Sequence, residues 1–181
     1  MNTFIKGDAM PKIIENVREQ LLCEAKKQIR ERGYSGMTVR SVASACGLGV
    51  GTVYNYFSSK DMLIASFILE DWQGMLDGIR KKAYSDKRDA LLLVYDSLKG
   101  FMTLNEALFS DCDAKTSFNA YHLKYHKLLR KQIAETITPV LNKTGENNAF
   151  LSEFVAESLL TWTVEGKSFD DIYSLLESII K

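Results

Sequence analysis

The stretch Gly47-Leu48-Gly49-Val50-Gly51-Thr52 sets glycines on alternate positions and ends on a hydroxyl. Glycines let a backbone come close to a phosphate, so a nucleotide-cradling loop is one reading. Such a loop requires a β-strand just ahead of it and a different glycine spacing, with a lysine after the last glycine in the P-loop form. Here the spacing is G-x-G-x-G, Thr52 follows Gly51 directly, and residues 38–46 carry a helical pattern. A second arrangement is His122 and His126, the only histidines, four apart on a predicted helix with Asp111, Cys112 and Asp113 nearby in sequence. That spacing suits metal ligands on one helix face, but no HExxH and no second Cys/His pair accompany it. A polar pocket lining and ordinary structural or solvent-facing histidines stay open, and no metal is assigned. Cys23, Cys46 and Cys112 are odd in number and lack a CxxC spacing, so they read as small buried hydrophobes rather than a redox pair. No nucleophile, base and orienting group stand at a recognisable spacing. An enzyme is not expected, and no cofactor is implied.

The remaining chemistry is that of a surface for a polyanion. Residues 1–60 hold nine Lys/Arg against five Asp/Glu, and residues 61–181 hold fourteen against eighteen. A basic head on an acidic body suggests a polyanion partner for the head. Thr52, Asn55 and Tyr56 fall on the side of a short predicted helix opposite Val50, Val53 and Phe57, with Gly51 at its tip. Aromatic hydroxyls and helix N-termini are common phosphate contacts, and Asn can read an adenine edge. Lys60 stands at the start of the next helix, placed to meet a phosphate. The competing reading makes Tyr54 and Tyr56 core aromatics of a bundle.

These residues need two short helices and a sharp turn to hold them. Ile14, Val17, Leu21, Ala25 and Ile29 recur at helical spacing from Pro11 to Arg32, and Gly33 stops that helix. Thr38 sits at an N-cap, its hydroxyl free to accept from an N–H two or three residues on. Val39, Val42, Ala43 and Cys46 form one buried stripe, and Gly47 falls where a left-handed C′ residue is wanted. Leu48 then plugs the core, and Gly49 opens the second helix. Ser58-Ser59-Lys60-Asp61 has the S-x-x-D form of a capping box and starts a long helix to about Tyr84. Further helices are predicted at about 86–105, 106–111, 115–141 with a disturbance at Pro139, 147–165 and 168–180. No period-2 alternation, repeat or low-complexity tract is found, and no apolar run spans a membrane. With no secretory leader in the first residues, a cytoplasmic location without membrane partner is the expectation.

A helix, a turn of about three residues with glycine, and a second helix with an exposed polar face make a helix-turn-helix. Residues 18–63 resemble the DNA-binding head of the tetracycline-repressor (TetR) family of bacterial regulators. The matching string is Gly33-Tyr34, Thr38-Val39-Arg40, Val42-Ala43, Gly47-Leu48, Gly51-Thr52-Val53-Tyr54-x-Tyr56-Phe57 and Ser59-Lys60-Asp61-x-Leu63. The resemblance implies that Arg40 reaches bases or phosphates and that Val50, Gly51, Thr52 and Asn55 face the groove. It implies that Thr38, Tyr54, Tyr56 and Lys60 hold the DNA backbone. Gly49-Val50 depart from the family's Ser and polar or basic pair, so base readout leans on Arg40 and on DNA shape.

The expected fold is all-α, about nine helices in two domains. A three-helix helix-turn-helix head occupies residues 1–60, and a helical-bundle body occupies residues 61–181. For the body the resemblance implies a small-molecule pocket and dimerisation through the last two long helices. Phe67, Trp72, Tyr95, Phe101, Met102, Phe118, Tyr121, His122, Tyr125 and Trp162 are the candidate pocket lining, with ordinary core packing as the alternative. Phe150, Phe154, Leu175 and Ile179 are the candidate dimer residues, with an intramolecular core as the alternative. The expected function is a DNA-binding transcriptional regulator, a repressor released from a palindromic operator by a small-molecule effector. A regulator or activator without an effector is the alternative.

Overall fold

The computed structural model describes residues 16–141 and 149–180, apart from the side chains of residues 115 and 117–125. Among the described residues the regular elements are all helices: α1 (Val17–Gly36), α2 (Val39–Ala45), α3 (Val50–Tyr56), α4 (Lys60–Lys81), α5 (Lys87–Leu104), α6 (Glu106–Phe109), α7 (Cys112–Leu141), α8 (Ala149–Val164) and α9 (Phe169–Leu176). None of these helices is long and apolar enough to cross a membrane.

Local capping chemistry sets most of the boundaries. Thr38 Oγ1 accepts from Ser41 N at 3.0 Å while Ser41 Oγ accepts from Thr38 N at 3.1 Å, a reciprocal box that starts α2. Asp86 and Ser168 cap α5 and α9 in the same sense, accepting from Asp89 N and Asp171 N. The cap of α4 is Ser59, which accepts from Met62 N at 3.1 Å, not Ser58 as the S-x-x-D spacing suggests. Position 61 is still useful there, since a carboxylate in the first turn opposes the positive end of the helix dipole. α7 runs to Leu141, as the pattern predicts, with Pro139 exposed in its last turn. One further expectation is corrected. Cys23 and Cys112 are exposed and Cys46 is half-buried, so the thiols are not core hydrophobes.

Two apolar clusters form the interior. The first joins Leu21, Leu22, Ala25 and Ile29 of α1 to Val42, Ala43, Val53 and Phe57 of the two short helices. It also takes Leu63, Ile64 and Phe67 from α4, Leu108 from α6 and Ala114 from α7. The second cluster starts at Trp72 of α4 and runs through α5, α7, α8 and α9. The apolar interior therefore divides α4 between Phe67 and Trp72, beyond the start of that helix at residue 60. Each fully buried Leu or Ile in these clusters stabilises the fold by about 1.5–3 kcal/mol relative to exposure. α1 is also tied to α4 by the ion pairs Arg18–Glu70 and Lys26–Asp71.

Candidate nucleic-acid interface

The turn between α2 and α3 is built as a Schellman motif. Gly47 N donates to Ser44 O at 3.1 Å, Leu48 N donates to Ala43 O at 2.9 Å, and Gly47 has φ 67°. These bonds satisfy carbonyls at the end of α2 and reverse the chain within three residues. Leu48 packs against the head cluster, and Gly49, in extended backbone, is the N-cap of α3. Val53 and Phe57 are buried on the inner side of α3.

The outer side is left to solvent. Tyr54 is 52% exposed and Tyr56 49%, so neither is a core aromatic. Asn55, Gly51 and Arg40 are exposed beside them, Thr52 is half-buried, and Thr38 is exposed at the start of α2. The result is a short helix end bearing two phenols, an amide and a small hydroxyl, with a guanidinium on the preceding helix. That set offers hydrogen bonds to phosphates and base edges.

Two of the expected contact residues are placed differently. Val50 is half-buried and packs against the head cluster, so it supports the turn instead of standing free toward a groove. Lys60 Nζ donates to the Tyr34 carbonyl at 2.6 Å and lies 3.8 Å from the centre of the Tyr34 ring. Burial holds the Lys60 ammonium below the usual lysine range, partly offset by Asp61, Asp111 and Asp113. Tyr34 OH in turn donates to Asp61 Oδ1 at 2.7 Å. Lys60 is thus engaged inside the head, holding the end of α1, where sequence reasoning placed it on a phosphate. The residue separations of 26 and 27 along the chain explain why spacing gave no hint of this.

Among the described residues, the expected pocket residues divide between the two clusters and the surface. Phe67 belongs to the head cluster, while Trp72 and Tyr95 are buried in the body cluster. Trp72 Nε1 donates to Gln132 Oε1 at 2.8 Å and its ring meets Phe101 edge-on at 5.3 Å. Tyr95 OH donates to the Lys167 carbonyl at 2.9 Å. Met102 is half-buried and Trp162 is 47% exposed. Phe118, Tyr121, His122 and Tyr125 lie outside the described side chains. Between α4 and α5 there is an open groove of about 270 Å³, lined by Asp71, Met75, Gly78, Lys82, Ser97, Gly100, Phe101 and Leu104.

His126 Nε2 lies 3.6 Å from Glu157 Oε1, and no group of three metal-ligating side chains occurs among the described residues. Asp111 and Asp113, the acids near the histidines in sequence, are used elsewhere. Asp111 Oδ1 accepts from Asp113 N at 2.9 Å and Ala114 N at 3.1 Å, which caps the first turn of α7. Asp111 Oδ2 accepts from Tyr34 N at 3.1 Å, and Ser35 Oγ donates to Asp113 Oδ2 at 2.5 Å. The Ala114 N–H, with those of Asp113 and Tyr34 and the Lys60 charge, holds the Asp111 carboxyl below its ordinary range against the opposing effect of burial.

The four candidate dimer residues are all exposed: Phe150 76%, Phe154 42%, Leu175 73% and Ile179 50%. Phe150 and Phe154 lie on α8, and Leu175 lies on α9 with Ile179 just beyond it.

Comparison with known proteins gives a consistent result. Residues 21–67 match the family described as bacterial regulatory proteins, tetR family. The chain is 22% identical to the HTH-type transcriptional regulator HbdR of Aromatoleum sp. (strain CIB), over 93% of this chain and 78% of that protein. It is 24% identical to the fatty acid metabolism regulator protein of Bacillus subtilis (strain 168), over 90% of this chain and 91% of that one. Among solved structures it resembles GusR of Salmonella enterica with a TM-score of 0.62 at 17% identity, covering 94% of this chain and 97% of the other. That likeness establishes the shared fold.

Proposed function

We propose, from the premise that this chain belongs to the tetR family of bacterial regulatory proteins and is a DNA-binding transcriptional regulator, that it is a homodimeric repressor released by a small molecule. The observation that carries the DNA-binding part is the solvent-facing set Arg40, Tyr54, Asn55 and Tyr56 on a helix-turn-helix with a fixed turn. Arg40 and Asn55 read bases, and Gly51 lets the backbone at the tip of α3 approach them. Thr38, Thr52, Tyr54 and Tyr56 hold phosphates, which fixes register without adding sequence information.

Dimerisation is supported by the large apolar side chains that α8 and α9 leave exposed, among them the adjacent Phe150 and Phe154 rings, since exposed apolar patches mark association sites. Two copies related by a two-fold axis place their α3 helices in successive major grooves, about 34–36 Å apart, and the matching operator is near-palindromic. The apolar clusters of the head and of the body both draw on α4, so a ligand in the body that shifts α4 changes the spacing of the two heads. Such a ligand acts only through its different affinity for the two arrangements. The groove between α4 and α5 supports this reading, because it borders the helix that carries the head.

A second reading, a regulator without an effector, is favoured by the commitment of Trp72 and Tyr95 to core hydrogen bonds. One experiment separates the two. Electrophoretic shift is measured on the DNA upstream of the protein's own gene, with and without a metabolite panel. Retardation relieved by one compound supports the repressor. Retardation that no compound alters overturns the effector, and no retardation of that DNA or of duplexes selected from a random pool overturns the DNA-contact assignment.

A further inference from the structure

α1 is held at three levels by partners from different elements. Arg18 and Lys26 pair with Glu70 and Asp71 of α4, and Tyr34 N donates to Asp111 at the corner between α6 and α7. Arg18 and Lys26 are eight residues apart, about 12 Å along the helix, and Tyr34 follows the non-helical Gly33 (φ 71°, ψ 177°) that breaks α1. Contacts to α4 alone leave α1 free to roll with that helix. A third contact to a different element removes this freedom.

The third contact has an unusual division of labour within one carboxylate. Asp111 Oδ1 accepts from the N–H groups of Asp113 and Ala114 in the first turn of α7, and Oδ2 accepts from the head at Tyr34 N, 3.1 Å away. Gly33 allows the approach: its φ is 71°, and a Cβ there stands 3.3 Å from Asp111 Oδ2. Leu108 and Ala114, on either side of Asp111, are buried in the head cluster. Further along α7, Ile133 and Ile137 are buried in the body cluster. One carboxylate therefore joins the first turn of a helix rooted in the body to the backbone of the head, beside the bond from Ser35 Oγ to Asp113 Oδ2.

We propose that Asp111 is a positioning residue for DNA binding, which fixes the head against the body by a route independent of α4 and transmits displacement at the start of α7 to the helix-turn-helix. The contact acts on the Gly33–Tyr34 turn, and α2 begins at Val39, five residues beyond Tyr34. A shift there moves the whole motif as a unit, because the Schellman turn at Gly47 and the shared packing of Val42, Ala43, Leu48 and Val53 hold α2 and α3 together.

The test separates a head contact from a helix cap. Asp111→Asn keeps one acceptor oxygen, enough to cap α7, and presents an amide N–H₂ where Tyr34 N requires an acceptor. Asp86→Ala is the control, because it removes an equivalent cap from α5. Spin labels are placed at Ser44 in the head and Asp96 in the body, both exposed. The three native cysteines are replaced by serine, and labelled protein is diluted with unlabelled chain so that distances within one chain dominate. Asp111→Asn is expected to at least double the width of the head–body distance distribution, and Asp86→Ala to leave it unchanged. Affinity for a duplex selected from a random pool by the unaltered protein falls about tenfold in Asp111→Asn alone. An unchanged width in Asp111→Asn, equal broadening in Asp86→Ala, or broadening without loss of DNA affinity overturns the proposal.

Discussion

Replacing Gly33 and Gly47 by alanine separates two costs that a sequence pattern treats alike. Both glycines have positive φ, 71° and 67°. At Gly47 nothing lies within 4 Å of an added Cβ, so the penalty is the left-handed conformation itself, about 1–2 kcal/mol for an L-residue. Alanine recovers roughly 0.4–1 kcal/mol of this by restricting the unfolded chain, leaving a net loss of about 1 kcal/mol. Gly33 has ψ 177°, a region that side-chain-bearing residues avoid at a cost of about 1–3 kcal/mol, and its Cβ also crowds Asp111. Gly33→Ala is therefore expected to cost about 1–2 kcal/mol more than Gly47→Ala. Urea unfolding followed by far-ultraviolet circular dichroism measures both, provided the dependence on denaturant is unchanged. Asparagine is the sharper probe, because it tolerates the left-handed region but not an extended ψ at positive φ. Gly47→Asn should recover most of the loss, and Gly33→Asn should recover little. Equal losses at the two positions, or equal recovery by asparagine, would show that the two backbone conformations carry the same cost.

Other outcomes follow from the same geometry. Arg40→Ala should flatten the preference for a selected duplex over a scrambled one by roughly 10–100-fold, as expected for a lost base contact, whereas Tyr54→Phe should weaken binding to both alike in fluorescence anisotropy. Lys60→Ala should lower the unfolding midpoint without changing the salt dependence of DNA binding; a slope reduced by about one would instead restore a phosphate contact. Phe150→Asp with Leu175→Asp should give a monomer in sedimentation while changing chain stability by only about 0.5 kcal/mol, as for exposed positions. The Asp111 contribution should be constant from pH 8 down to about 5. A carboxyl held below its ordinary value of about 3.9 stabilises above that value and loses its effect as the pH falls through the lowered one. A ¹³C titration of the Asp111 carboxyl checks this, and a midpoint above about 4 contradicts it.

Features under short-range geometric control can be read from the order of residues alone. Thr38 and Ser41 cap α2 across three residues, and Gly47 and Leu48 close onto Ala43 and Ser44 within five. Such features leave spacings that can be read directly, so the helix-turn-helix and its exposed Tyr54, Asn55 and Tyr56 were legible, as was the all-helical fold. Which polar groups face solvent depends instead on packing between distant elements. Lys60 and Arg40 look equally available as cations, yet Lys60 is folded onto Tyr34 while Arg40 stays in solvent. Trp72 and Tyr95 look like pocket aromatics until their hydrogen bonds to Gln132 and Lys167 place them in the core. Asp111 stands 77 residues from the Tyr34 amide it accepts from. Periodicity carries no information over that distance, because the pairing is set by how α1 packs against the corner of α6 and α7.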